Sequence, residues 1–146
     1  MPAGRPIRTL IAAPSPVVQT LSNALGELGV EVRPGTSVSE AEGHLATRFD
    51  LILVCYVFDD VHPYRFVGRI RGEGANAYTP VILVRALPVP LGESQEWEIR
   101  RAYQSIGVDE FVNYSQLVHD QGEGPANQAL RQCVLRVLRP RSAARA

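Results

Sequence analysis

The sequence predicts a doubly wound α/β domain, a five-stranded parallel sheet with helices packed on both faces. Three observations predict it. Five short apolar runs alternate with longer amphipathic segments along the chain. The two strongest runs, residues 51–58 and 81–84, are apolar throughout, without the every-other-residue alternation of a half-exposed strand, as befits strands covered on both faces. The length, 146 residues, suits one domain with a complete hydrophobic core.

Each element follows in order. The run Thr9-Leu10-Ile11-Ala12-Ala13 reads as the first strand. Ser15-Pro16 then reads as a helix cap with proline at the first helical position. Val17, Leu21, Leu25 and Leu28 recur at helical spacing, and Gly29 supplies a stop. Val30-Glu31-Val32 is a short second strand. Ser39, with Glu42 three residues on, reads as a capping box, and Ala41, Leu45 and Phe49 make one helix face. The third strand is the run 51–58. Phe66, Val67 and Ile70 mark a third helix ended by Gly72, and 81–84 is the fourth strand. Trp97, Ala102, Tyr103 and Ile106 belong to a fourth helix, with Gly107 after it. Phe111 and Val112 sit in a fifth strand, and Leu130, Val134, Val137 and Leu138 line a last helix. The order βαβαβαβαβα implies right-handed crossovers and a flavodoxin-like (βα)5 sheet. Such a sheet places its functional groups beyond the carboxyl ends of its strands. Two stretches fall outside the alternation: the Pro/Gly-rich segment 87–92, and 116–127, which reads as a long loop. The organisation is therefore an N-terminal extension, 1–8, one domain, 9–138, and a basic flexible tail, 139–146.

Composition narrows the function. Basic and acidic residues both number 15, which argues against a protein built to bind nucleic acid or anionic membrane through basic excess. All the basic residues are arginines, so no chemistry here uses a lysine as Schiff base, general base or phosphate anchor. Cys55 and Cys133 each lie inside an apolar stretch, with no CxxC pair and no metal-ligand spacing. They read as reduced, buried thiols of a cytoplasmic protein. No apolar run reaches the ~18 residues of a membrane span.

At this point the chain resembles the receiver domain of two-component response regulators. The resemblance rests on Asp50-Leu51-Ile52-Leu53-Val54 opening the third strand, on the helix of residues 65–71 after it, on Thr79-Pro80-Val81-Ile82-Leu83-Val84, and on Gly107-Val108-Asp109-Glu110-Phe111 leading into the fifth strand. It covers roughly residues 7–138. The family's chemistry, as the resemblance implies it, needs an acidic pair after the first strand to hold magnesium and a phosphoacceptor aspartate ending the third. A hydroxyl ending the fourth strand and a lysine ending the fifth bind the phosphoryl oxygens. Those positions here are Ala13 and Pro14, Cys55, Arg85 and Tyr114. None keeps the family's residue. Three carboxylates and a lysine, formally −2, are replaced by a single arginine, formally +1. A divalent cation ~5 Å from that arginine would meet roughly 6 kcal/mol of repulsion at an effective dielectric of ~20. Arg85 has an alternative, turning away to pair with Asp59 or Asp60, but no carboxylate cage remains at the aligned positions.

Sharper readings compete with plainer ones. Cys55 reads as a small hydrophobe filling the lost acidic site, against a nucleophile or redox sensor activated by Arg85. Asp59, Asp60 and His62 read as a solvated loop rather than a displaced phosphoacceptor or a metal site. The string Gly72-Glu73-Gly74-Ala75-Asn76-Ala77 matches a dinucleotide motif, but follows a helix and precedes a strand, the reverse of the required context. His44 and His119 read as surface residues. Arg136, Arg139, Arg141 and Arg145 read as a solvated end.

The expected function is therefore a non-enzymatic regulatory module, a pseudo-receiver acting through phosphorylation-independent protein contact, without metal or cofactor. Expected partners are a histidine kinase, an output domain or another regulatory protein. A homodimer is a further option, through the face of the fourth helix, fifth strand and last helix, drawn from Trp97, Arg100, Arg101, Tyr103, Gln104 and Phe111. Aromatics and arginines are the residue types that anchor interfaces. Two alternatives stay open: a sensor of small anions or redox state using the Cys55/Arg85 pocket, and a receiver phosphorylated at a non-standard residue.

Overall fold

A computed structural model describes residues 5–57, 63–72, 74–86 and 92–139. The elements, in chain order, are β1 (Ile7–Ala12), α1 (Ser15–Leu25), a single 3₁₀ turn (Gly26–Leu28), β2 (Val30–Gly35), α2 (Val38–His44), β3 (Leu51–Cys55), α3 (Tyr64–Arg71), β4 (Val81–Val84), α4 (Glu93–Ser105), β5 (Glu110–Val112), α5 (Tyr114–Gln121) and α6 (Glu123–Val137). The strands form one sheet in the order β2-β1-β3-β4-β5, every pair parallel. This is the flavodoxin-like order, in which the winding reverses between β1 and β3.

Burial explains the apolar runs. Every residue of β3 and of β4 is buried, and helices cover both faces. Phe66, Val67 and Ile70 of α3, Leu21 and Leu25 of α1, and Leu130 and Val134 of α6 complete one continuous core. The sheet's amino edge is stapled by Arg71. Its guanidinium donates to the carbonyls of Gly107 (2.8 Å) and Thr79 (2.6 Å) and to the Asp109 carboxylate (3.0 Å). That carboxylate also accepts from the Val81 amide at 2.8 Å. Gly107, at φ +109°, leaves room for this side chain, since a Cβ there would stand 2.8 Å from Arg71 Nε.

Besides β3 ending at Cys55 and α2 at His44, short of the expected 58 and 49, four details differ from the sequence expectations. β1 begins at Ile7, inside the stretch assigned to the N-terminal extension, because buried Ile7 pairs with Val30. The capping serine of α2 is Ser37 rather than Ser39: its Oγ accepts from the Glu40 amide (3.1 Å), while the Glu40 carboxylate accepts from the Thr36 amide (2.7 Å). Pro14, not Ser15, stands at the cap of α1. The fourth difference is the largest. Residues 116–127 are not a loop but most of α5 and the start of α6, hinged at Gly122 with φ +94°. α5 forms because Tyr114 is buried and Leu117 and Val118 pack against the core. Pro125 is tolerated because it lies in the first turn of α6, where no intrahelical acceptor waits for its missing N–H. The segment 87–91, the aspartates at 59 and 60, and the tail beyond Arg139 lie outside the described residues.

Candidate functional site

The carboxyl ends of β1, β3, β4 and β5 lie along one edge, and Ala13, Pro14, Cys55 and Arg85 follow or end strands there. Ala13 follows β1, is fully buried, and donates its amide to the Gly35 carbonyl. Pro14 begins the turn into α1. Cys55 ends β3 with 2% of its surface exposed. Burial raises its thiol above the ordinary value, partly offset by the backbone amides of Val57, Ala86 and Tyr56 around the sulfur. A thiol held neutral is a poor nucleophile.

Arg85 follows β4 and is only 3% exposed. The backbone pins it from both sides: its amide donates to the Val112 carbonyl (2.9 Å) and its carbonyl accepts from the Ser115 amide (3.1 Å). Its Nη1 donates to Ser115 Oγ at 3.2 Å and Asn113 Oδ1 at 3.4 Å. The suggested partners Asp59 and Asp60 fall outside the described residues, as does His62. A cationic side chain thus occupies the interior of the edge where the resemblance places a hydroxyl.

Tyr114 does not join this cluster. It opens α5, and its hydroxyl donates to Asn127 Oδ1 on α6. Burial, then the neighbouring Glu123 carboxylate, push its phenol upward. The residues that take part instead are its two neighbours, Asn113 and Ser115, which sequence reasoning missed. The signal was available, since two hydrogen-bonding side chains flank the aligned position immediately after the fifth strand.

A polar chain leads outward from Arg85. Asn113 Nδ2 donates to Glu96 Oε1 on α4 at 2.8 Å, and Glu96 Oε2 stands 3.7 Å from Arg100 Nη2. Arg100 donates to the Phe111 carbonyl (3.3 Å) and lies over the Phe111 ring, 5.4 Å from its centroid. These groups border a groove of about 450 Å³ between α4, β5, α5 and α6, with Cys133 and Arg136 among its lining residues. Burial and the Glu110 carboxylate push the Cys133 thiol up to about 11.

The expected interaction residues divide by burial. Trp97 is 57% exposed, and Arg101 stacks on its ring at 4.7 Å. Gln104 is exposed and Arg100 half-buried. Tyr103 and Phe111, at 5% and 3%, belong to the core and offer no surface. Tyr103 packs edge-on against Tyr56 (6.0 Å) and Tyr64 (5.5 Å), tying α4 to α3 and to the end of β3. His44 is half-buried at the end of α2, and His119 is exposed on α5. Among the described residues, no three His, Cys, Asp or Glu side chains stand together as a metal site, and no helix is long and apolar enough to cross a membrane.

No protein-family model and no curated protein sequence matches the chain. Solved structures do. The chain is similar to the chemotaxis response regulator CheY4 of Vibrio cholerae, with 18% identity, 88% of this chain and 98% of that one covered, and a TM-score of 0.65. It is similar to the receiver domain of a Pseudomonas aeruginosa sensor histidine kinase, which holds a magnesium ion in its active-site cleft (18% identity, 92% and 98% covered, TM-score 0.67). It is also similar to the receiver domain of a signal-transduction histidine kinase from Syntrophus aciditrophicus (22% identity, 90% and 89% covered, TM-score 0.66). The chain therefore has the CheY-like receiver fold.

Proposed function

We propose that this chain is a receiver-type signalling module that has lost the phosphoryl-transfer cycle and regulates through protein contact. The observation that carries the reading is the buried Arg85. Its guanidinium fills the edge where a phosphoryl group would bind, beside a neutral Cys55 and an alanine after β1. A magnesium ion needs several oxygen ligands, and the positions aligned with the family's three carboxylates offer no side-chain oxygen. The module is then not an enzyme, works in the cytoplasm, and needs no cofactor. Its partner is a histidine kinase, an output domain or another regulatory protein.

The contact surface on this reading is the outer side of α4 with the groove beside β5 and α6. Trp97 stacked by Arg101 supplies a rigid amphipathic anchor of the type that dominates binding energies. Arg100 and Arg136 alternate with Glu96 and Glu110 around the groove, a charge pattern that also suits a second copy of the chain. The redox alternative is weakened by the raised Cys55 thiol. A binding assay against signalling proteins encoded beside this one tests the reading. Affinity should be the same with and without Mg²⁺ and acetyl phosphate, and should fall at least about tenfold in Trp97→Ala. A phosphoryl donor that shifts affinity tenfold, or a Trp97→Ala protein that binds as the wild type does, overturns it.

A further inference from the structure

A second groove, also about 450 Å³, lies between the start of α1 and α5 and takes in Ala86 and Ser115, the chain neighbour and hydrogen-bond partner of Arg85. Residues 114–121 fold as a helix, and its Tyr114, Ser115, Val118 and His119 line the groove together with Pro16, Val17 and Thr20 of α1. Its volume falls within the ~300–1,000 Å³ of small-molecule sites, and it lies at the carboxyl edge of a parallel sheet, where such sites concentrate.

The lining has two characters. Val17, Ala86 and Val118 give it an apolar wall, while Thr20, Tyr114, Ser115 and His119 carry polar groups, those of Thr20 and Tyr114 already donated to the Pro16 carbonyl and to Asn127. No described lining residue is acidic. Ser115 joins this groove to the cation behind it. Its Oγ accepts from Arg85 Nη1 at 3.2 Å, and its own proton points to Asn113 Oδ1 over a long 3.4 Å. A hydroxyl polarised by a guanidinium and weakly committed to its present acceptor is a strong donor to an anion arriving from the groove, because charge-assisted hydrogen bonds are shorter and about twice as strong as neutral ones. The apolar wall beside it favours a hydrocarbon body, worth about 25 cal/mol for each Å² it removes from water.

We infer that this α1–α5 groove binds a small monocarboxylate with an apolar body, its carboxylate on Ser115 and His119 and its hydrocarbon part against Val17 and Val118. The site lies away from the α4 face, and the inference does not depend on the protein-contact reading. It would give the module a chemical input, because Ser115 is bonded to Arg85, and Arg85 through Asn113 to Glu96 of α4.

Octanoate is a suitable probe, with 1-octanol as its uncharged counterpart, each titrated into the full chain and followed by methyl and amide NMR shifts. Saturable shifts are expected at Val17 and Val118, with octanoate binding at least about tenfold tighter than octanol. Ser115→Ala should remove that preference, bringing octanoate affinity to within about twofold of octanol. Val17→Glu, at a half-buried site on α1, should abolish octanoate binding with the circular dichroism spectrum intact. Absence of saturable shifts, equal affinity for octanoate and octanol, or shifts confined to the α4–β5–α6 groove would overturn the inference.

Discussion

Replacing Cys55 by aspartate places a carboxylate at the end of β3 and asks which force governs the site. The position is 2% exposed, and the effective penalty for burying an ion is several kcal/mol. Against it stand the amides of Val57, Ala86 and Tyr56, already directed at the sulfur, each able to return ~1.5–3 kcal/mol if the carboxylate reaches it in good geometry. A carboxylate reaches one atom beyond a thiol, so the three amides cannot all be met without adjustment of the strand end. The expected net effect of Cys55→Asp is destabilisation by about 1–3 kcal/mol at neutral pH. The pH dependence of stability distinguishes the two forces. If burial dominates, the new carboxyl titrates above its unfolded value of ~3.9, by about one to two units for this energy. The variant should then come closest to wild type below pH ~4 and lose ground progressively as pH rises to about 6. Urea unfolding of both proteins by circular dichroism, compared at several pH values between about 4 and 7, measures the difference directly. A variant that gains on wild type as pH rises would refute the reasoning, since Arg85 and the amides would then outweigh desolvation.

Further expectations follow from the polar chain and from the titrating groups. Asn113→Ala removes an acceptor of Arg85 and the donor to Glu96. It should cost about 1–3 kcal/mol and speed hydrogen exchange in α4, of whose thirteen residues only Tyr103 is fully buried. Unchanged α4 protection would count against the link. Burial, with Tyr56 and Tyr64 nearby, pushes Tyr103 from 10 to about 12, and burial with Glu110 pushes Cys133 from 9 to about 11. Both shifts favour the neutral form, so their contribution is complete below the unfolded values and is lost as pH rises through the folded ones. The urea midpoint should therefore fall across pH 9–12, and Cys133→Ala should flatten the lower part of that fall. A midpoint constant across this range would contradict both shifts.

Much of the fold was legible because strands covered on both faces carry an unbroken apolar run, as 51–58 and 81–84 do, although β3 itself ends at Cys55. α5 was not legible. Its apolar residues are only Tyr114, Leu117 and Val118 among polar neighbours, and Gly122-Glu123-Gly124-Pro125 after it looks like loop chemistry. Ser37 and Ser39 each have a glutamate three residues on, so pattern alone could not choose the cap of α2. At the site, Cys55 and Arg85 fall on the carboxyl edge as the resemblance implied, because strand ends fix them. Tyr114 departs because the helix it opens turns its ring toward Asn127, leaving Asn113 and Ser115 to partner Arg85. Tyr103 and Phe111, expected on an interaction face, lie in the core, because whether an aromatic faces core or solvent depends on tertiary packing that spacing does not encode.

The measurement that bears most directly on the proposed loss of the phosphoryl cycle is a titration with Mg²⁺ and beryllofluoride, monitored by the amide resonances of Cys55, Tyr56, Arg85 and Ala86. With Ala13, Pro14 and Cys55 where three carboxylates would be needed and a buried guanidinium at Arg85, these resonances should stay in place at every concentration. Saturable, Mg²⁺-dependent shifts centred on them would contradict the account and restore a working phosphorylation site to this fold.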